Sequence, residues 1–306
     1  MTQPVTKPIQ PGSAPAWLRS LTPYLFLAPA FGVLTLTVFY PALRAFYLSF
    51  TRYDYDLTQA PQWVGLANFQ RLIQDEVFWQ TLGHTVLYLV IVVPVLTFVP
   101  LALAILVNQK LAGIRWFRAA YYVPVVVSMV VAGIARQWLY AENGLLNQVL
   151  TGLGLSESGI PWLTSPQLAL PSVMVVTIWK GLGYYMTIYL AGLQSIPADL
   201  YEAAAIDGSD GWRKHWDITM PLMRPYSYLV ATISAISATK VFEEIFIMTQ
   251  GGPRNSSKTI VYYLYEQAFQ NREINYACAI GLALFLIVLA LSALRLLLGG
   301  GEARLS

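Results

Sequence analysis

The sequence predicts an all-α integral membrane protein with about six transmembrane helices. Of its 306 residues, 56% are hydrophobic and 11% are charged, whereas soluble domains contain about 25% charged residues. A single soluble core could not bury so much apolar surface, but a bilayer allows the outer surface to be apolar as well. The chain also contains apolar runs of about 20 residues, the length that a helix needs to cross the hydrocarbon layer.

Six apolar runs are long enough to span a bilayer. Each should be helical, because lipid offers no hydrogen-bond partners to backbone N–H and C=O groups. The runs cover roughly residues 22–43, 84–107, 118–140, 170–194, 222–248 and 276–298. Residues 1–20 are polar and rich in proline, without the apolar core of a signal peptide. We expect a disordered tail at 1–20, a membrane domain over 21–300 and a short tail at 301–306.

The distribution of Lys and Arg predicts the orientation of the chain. Ten basic residues fall on the side that holds both termini, and five fall on the other side. Cytoplasmic loops are enriched in Lys and Arg, so we expect both termini in the cytoplasm. The net charge is only +3, and the basic residues are scattered along the chain. Neither feature indicates a nucleic-acid partner.

The sequence contains no motif for ATP hydrolysis or metal chemistry. No glycine is followed directly by lysine, which excludes a GxxxxGK[ST] phosphate loop, and there is neither an HExxH motif nor a paired-Cys metal spacing. The acids within the predicted spans are Glu243 and Glu244, whereas a proton-driven carrier usually buries several ionisable groups. Either the chain is a passive pore, or another polypeptide supplies the energy.

The loop between spans four and five, residues 196–221, is predicted to form two short helices joined at a glycine. Pro197 suits a first helical turn, and residues 200–206 favour a helix. Gly208 suits a left-handed helix end, and the second helix must end before Pro221.

The first of these helices has a smooth face on which another protein could pack. Ala203, Ala204 and Ala205 form that face, and Glu202 and Asp207 border it with negative charge. An interfacial loop that only caps its own bundle is the alternative that this shape leaves open.

The residues of the 196–221 loop resemble the signature loop of the membrane subunits of binding-protein-dependent ABC importers. That pattern is EAA, two residues, DG and later I-x-LP, and it is matched here by Glu202-Ala203-Ala204, Asp207-Gly208, Ile218 and Pro221. The sequence departs from the usual Ala, Phe and Leu at Ser209, His215 and Met220. Because His215 replaces an apolar Phe, the sequence does not decide how the second helix packs.

Other segments resemble the carbohydrate-uptake branch of the same family. They are residues 23–29, 64–69, 189–197 and 248–253, the last with Gln250 where Gly is usual. The resemblance implies that the loop is a coupling helix that docks in a groove of a separate ATPase, where Glu202 contacts a basic residue. It also implies a bacterial or archaeal cytoplasmic membrane, a second permease subunit, an ATPase dimer and an extracytoplasmic solute-binding protein. The chain itself would bind no cofactor, since the ATPase binds ATP and Mg²⁺.

Charged and aromatic residues in two spans are candidates for the solute pathway. They are Lys180, Tyr184 and Tyr185 in span four and Lys240, Glu243 and Glu244 in span five. A charge in mid-membrane is costly unless it faces water or a partner, and sugar binding needs donors and acceptors beside aromatic rings. The alternative is structural, with Lys240 paired to Glu243 one turn later and Gly181 and Gly183 allowing close helix packing.

Three functional interpretations remain at this stage. The first is a permease subunit of an ATP-driven importer for a sugar, oligosaccharide or polyol-like solute. The second is an importer of glycerol phosphate or another small polar solute, which the two lysines favour and the two glutamates disfavour. The third is a stand-alone carrier or channel, which the missing proton relay and the 196–221 loop both disfavour.

Overall fold

The computed structural model describes residues 16–53, 60–109 and 113–299, which are mostly helical. The predicted all-α class is therefore confirmed. Helix α1 begins at Ala16, inside the predicted N-terminal tail, and the rest of that tail and the tail at 301–306 lie outside the described residues.

The first half of the chain contains seven α-helices within the described residues. They are α1 (Ala16–Leu34), α2 (Tyr40–Ser49), α3 (Ala67–Gln74), α4 (Glu76–Val107), α5 (Ile114–Val126), α6 (Met129–Leu139) and α7 (Leu145–Gly152). A π-helical segment, Thr35–Phe39, joins α1 to α2. A two-residue strand, β1 (Thr51–Arg52), pairs antiparallel with β2 (Gln62–Trp63).

The second half continues in the same way over its described residues. Its helices are α8 (Ala169–Gln194), α9 (Ala198–Ile206), α10 (Met220–Leu222), α11 (Arg224–Thr239), α12 (Glu243–Met248), α13 (Ile260–Tyr265) and α14 (Ile274–Gly299). Two further π-helical segments precede α10 and follow α13, at His215–Thr219 and Glu266–Gln270.

Three uninterrupted helical stretches in the described part of the chain are long and apolar enough to cross a bilayer: 23–49, 76–107 and 169–194. Helices α5 and α6 together would make a fourth, but they meet at an angle of 100°. The predicted third span is therefore broken, because the backbone at Val127 and Ser128 is extended. Helix α14 adds a shorter apolar stretch, Ile274–Ala290.

The predicted fifth span is also interrupted, between α11 and α12. Lys240 caps the C-terminus of α11, and Glu243 and Glu244 occupy the first turn of α12. These positions suit their charges, because a helix dipole favours a cation at its C-terminus and anions at its N-terminus. The structural alternative, an intrahelical pair of Lys240 with Glu243, is wrong, because the two residues belong to different helices and no ion pair in the described residues joins them.

The core of the bundle is centred on α4. This helix packs along α8 and α11, and α5 packs against α8. Tyr88 and Tyr189 are fully buried there. The Tyr189 hydroxyl donates to the carbonyl of Thr97 at 2.9 Å, and the Tyr88 hydroxyl lies 2.5 Å from Oγ1 of Thr177. Each of these bonds joins α4 to α8.

A second cluster ties the start of α4 to α13 and α14 through one carboxylate. Oδ1 of Asp75 accepts from the backbone N–H groups of Val77 and Phe78 at 2.9 and 3.2 Å. Oδ2 accepts from the hydroxyls of Tyr263 and Tyr276, both at 2.5 Å. Partial burial acts to raise the pKa of Asp75, but these four donors outweigh it and hold that pKa below its usual value.

Candidate transport pathway and the 196–221 loop

A cavity of about 640 Å³ opens between α4, α8 and α11, beside the break before α12. We call it the pathway cavity. All six of the predicted pathway residues line it: Lys180, Tyr184, Tyr185, Lys240, Glu243 and Glu244. Its wall also contains polar and aromatic residues that the sequence analysis did not single out, namely Tyr88, Thr177, Ser234, Ser237 and Phe242.

The charges in the pathway cavity balance. Two lysines face two glutamates, and none of these four side chains forms an ion pair within 4.0 Å in the described part of the chain. Glu244 still interacts electrostatically with Lys180 and Glu243. Separated charges of both signs leave donors and acceptors available to a polar solute, and a solute with no net charge would face no net repulsion.

An aromatic cluster adjoins the pathway cavity. Phe242 stacks on Phe246, with ring centroids 5.4 Å apart, and tilts against Tyr265 at 4.9 Å. Tyr262 joins the same group. The sequence analysis did not identify this cluster. The closely spaced aromatic residues in 242–246 and 262–265 were the available signal, but only the fold brings the two segments together.

Helix α12 is held in place from α6. The Nε2 of Gln137 donates to the carbonyls of Ile247 and Met248. Gly133, one turn earlier on α6, allows Ile247 to pack against its backbone. The bend between α5 and α6 therefore positions α12, and with it Glu243 and Glu244.

The glycines of α8 have different surroundings. A Cβ added to Gly183 would lie 2.0 Å from the backbone oxygen of Tyr121 on α5. For a Cβ added to Gly181, the nearest atom would belong to the side chain of Leu96, at 2.9 Å, and not to a backbone. Gly183 thus serves close packing of α5 on α8, as the structural alternative expected.

The 196–221 loop contains two short helical segments, as its sequence predicts. The second does not end before Pro221 as predicted: the π-helical segment continues into α10, and Pro221 lies in the first turn of α10, where its missing N–H costs no intrahelical bond. Helix α9 ends at Ile206, and Gly208 follows with a left-handed φ of +79°. Glu202, Ala203, Asp207 and Gly208 are exposed, and Ala204 is half-buried.

Hydrogen bonds join the two segments of this loop into one unit. Oγ1 of Thr219 lies 3.1 Å from both the Tyr201 hydroxyl and Nδ1 of His215. Burial and the neighbouring Lys214 lower the pKa of His215. Asp217 accepts from Ser209 at 2.5 Å and pairs with Arg213 at 3.4 Å. His215 thus packs inward within the loop.

The chain matches the family model of the binding-protein-dependent transport system inner membrane component over residues 76–300. The chain belongs to this family. It is similar to the arabinooligosaccharides transport system permease protein AraP of Bacillus subtilis, with 35% identity over 92% of this chain and 90% of that protein. It is also similar to the lactose transport system permease protein LacF of Rhizobium radiobacter, with 34% identity over 89% of this chain and 92% of that protein.

A solved structure has the same fold. A chain of a bacterial ABC transporter involved in the import of the acidic polysaccharide alginate aligns with a TM-score of 0.79 and 24% identity, over 94% of this chain and 97% of that one. The resemblance seen in the 196–221 loop is therefore confirmed at the level of the family, and the protein is an inner membrane component of a transport system.

We expect Gly183→Ala to destabilise the bundle by about 2–3 kcal/mol, because α5 must move away from α8 to make room for the methyl group. Gly181→Ala is the matched control: the Leu96 side chain can rotate away, and Ala favours a helix over Gly by about 1 kcal/mol. Thermal unfolding midpoints of the purified variants in detergent measure both effects. Equal midpoints for the two variants would show that the α5–α8 contact is not tight.

Proposed function

We propose that this protein is a permease subunit of an ATP-driven ABC importer that carries a sugar, oligosaccharide or polyol-like solute. The observation that carries the proposal is the pathway cavity, in which charges of both signs, hydroxyls and aromatic rings meet inside an apolar helix bundle. In this proposal residues 21–300 form the membrane domain, with six spans and both termini in the cytoplasm.

The chemistry of the pathway cavity favours a carbohydrate over an anion. Two ammonium groups could attract a phosphate ester, but two carboxylates in the same cavity oppose it. Phe242 and the two tyrosines of α8 provide apolar ring faces, and Ser234 and Ser237 provide hydroxyls. The names of AraP and LacF, which refer to arabinooligosaccharides and lactose, agree with this choice.

The energy for transport would come from a separate ATPase that binds ATP and Mg²⁺. Its docking site on this chain would be the exposed end of α9, formed by Glu202, Ala203, Ala204, Asp207 and Gly208. Ile206 is 87% exposed there, and an apolar side chain so exposed beside two carboxylates suits a groove on another protein. The hydrogen bonds from Tyr201 and His215 to Thr219 would transmit a movement of α9 towards α11.

A second permease subunit and an extracytoplasmic solute-binding protein would complete the importer. The stretch 23–49 is apolar, and none of its most apolar window is buried within the chain. Phe26 and Leu36, for example, are 83% and 71% exposed. Such a surface suits contact with lipid on one side and with a second permease subunit on the other. The second subunit would complete the wall of the pathway cavity and so form a pore.

Glu202→Ala should leave the protein inserted in the membrane but reduce ATP-coupled uptake by more than tenfold, because the carboxylate at the docking face is lost. A buried hydrogen-bonded charge pair at an interface is typically worth more than about 2 kcal/mol. Radiolabelled sugar uptake by proteoliposomes of the complete importer measures this. Asp199→Ala, which removes the same charge one turn earlier on α9, is the control. Normal uptake by Glu202→Ala would reject the coupling role.

Lys180→Met and Glu243→Gln should change which solutes stimulate ATP hydrolysis, because each leaves one unbalanced charge in the pathway cavity. The lysine variant should lose ATPase stimulation by the wild-type sugar by about tenfold, while its ATPase subunits remain bound on purification. Arg136→Met, outside the pathway cavity, is the control. If both cavity variants respond normally to a panel of sugars, the pathway is elsewhere.

A further inference from the structure

A second cavity lies beneath the 196–221 loop, and no part of the transport pathway described above uses it. It measures about 270 Å³ and sits where the ends of α4 and α8 meet α9 and the π-helical segment. We call it the loop cavity. Six of its eight lining residues carry a polar group: Asn108, Gln109, Tyr201, Lys214, His215 and Thr219. The other two are Ile105 and Leu193.

The polar groups of the loop cavity are rich in hydrogen-bond donors and contain no carboxylate among the described residues. Lys214 brings an ammonium group that has no hydrogen bond or ion pair in the described part of the chain, and the amides of Asn108 and Gln109 add N–H donors. The nearby carboxylate of Asp217 is already engaged by Ser209 and Arg213.

The two helix ends at the loop cavity do not neutralise Lys214, although helix C-termini carry partial negative charge. The guanidinium of Arg118 covers the end of α4, donating twice to the Val107 carbonyl at 3.1 and 2.6 Å. At the end of α8, the Ser195 hydroxyl donates to the Gly192 carbonyl at 2.7 Å. These two carbonyls are therefore already hydrogen-bonded, and no carboxylate in the described residues pairs with Lys214.

His215 contributes a second cationic group when it is protonated. Its Nδ1 bonds to Thr219, so its Nε2 is left without a hydrogen bond in the described structure. Burial and the adjacent Lys214 lower its pKa, and an anion in the cavity would oppose both effects by favouring the imidazolium.

We propose that the loop cavity binds a phosphate group. The tetrahedral phosphate anion fits a small pocket in which one ammonium, one imidazole, two amides and two hydroxyls converge. Two sources carry this chemistry: inorganic phosphate or a phosphate ester in solution, and the headgroup of an anionic phospholipid. A bound phosphate would link α4 and α8 to both segments of the 196–221 loop and hold the docking helix α9 in one position.

Histidine NMR tests this proposal without depending on which solute is transported. The chain has two histidines; His84 bonds through Nδ1 to the Lys258 carbonyl, far from the loop cavity, and serves as an internal control. In the ¹³C-histidine-labelled protein, inorganic phosphate should shift the His215 signal saturably and raise its pKa. Chloride at equal ionic strength should do neither, and His84 should not respond.

Lys214→Met should weaken phosphate binding by about tenfold, and Arg224→Met, which removes an exposed cation outside the cavity, should not. Nanodiscs of phosphatidylglycerol and of phosphatidylcholine, both without free phosphate, separate the two sources. A His215 shift in phosphatidylglycerol alone identifies the lipid headgroup, and a shift only on adding phosphate identifies the soluble ligand. If neither moves His215, or if Arg224→Met is as damaging as Lys214→Met, the proposal is wrong.

Discussion

The structure depends on an interruption of the helix between α11 and α12, in the segment that the sequence predicts as the fifth span. Non-helical backbone at membrane depth is tolerated only where protein buries it or where it lines a water-filled cavity. The break between α11 and α12 meets both conditions: the Val241 carbonyl accepts from Thr259 at 3.0 Å, and residues 240–244 line the pathway cavity. The break also puts Lys240 and Glu243 at helix ends that stabilise their charges. The position of the pathway cavity is thus set by where α11 ends and α12 begins.

Other parts of the fold hold that break in position. Gln137 fastens the end of α12 to α6, and α6 can reach it because the chain turns by 100° after α5. Helix α5 in turn lies against α8 at Gly183, where there is no room for a side chain. In lipid the hydrophobic effect does not drive helices together, so close contacts and interhelical hydrogen bonds of this kind stabilise the packing. The pathway cavity and its supports therefore form one connected unit.

The sequence predicted the helical class and the two segments of the 196–221 loop, but not where the second segment ends. The six ionisable and aromatic residues that it singled out line one cavity, and their role in transport stays a prediction. These rest on local signals: hydropathy, a glycine at a left-handed position, and charges inside apolar runs. It missed Phe242, Thr177 and the Gln137 contacts, because they depend on which distant helices meet. It also treated residues 222–248 as one helix, since hydropathy does not register a break of three residues, although Lys240 and Glu243 fit two helix ends better than an intrahelical pair.

Reconstitution in vesicles tests the central claim, which is that this helix bundle provides the transport pathway while another subunit supplies the energy. The measurement is accumulation of labelled sugar against its gradient by the chain alone and by the chain assembled with an ATPase, a second permease and a solute-binding protein. The account predicts accumulation only in the complete assembly and only with ATP inside the cytoplasmic compartment. Concentrative uptake by the chain alone would contradict it.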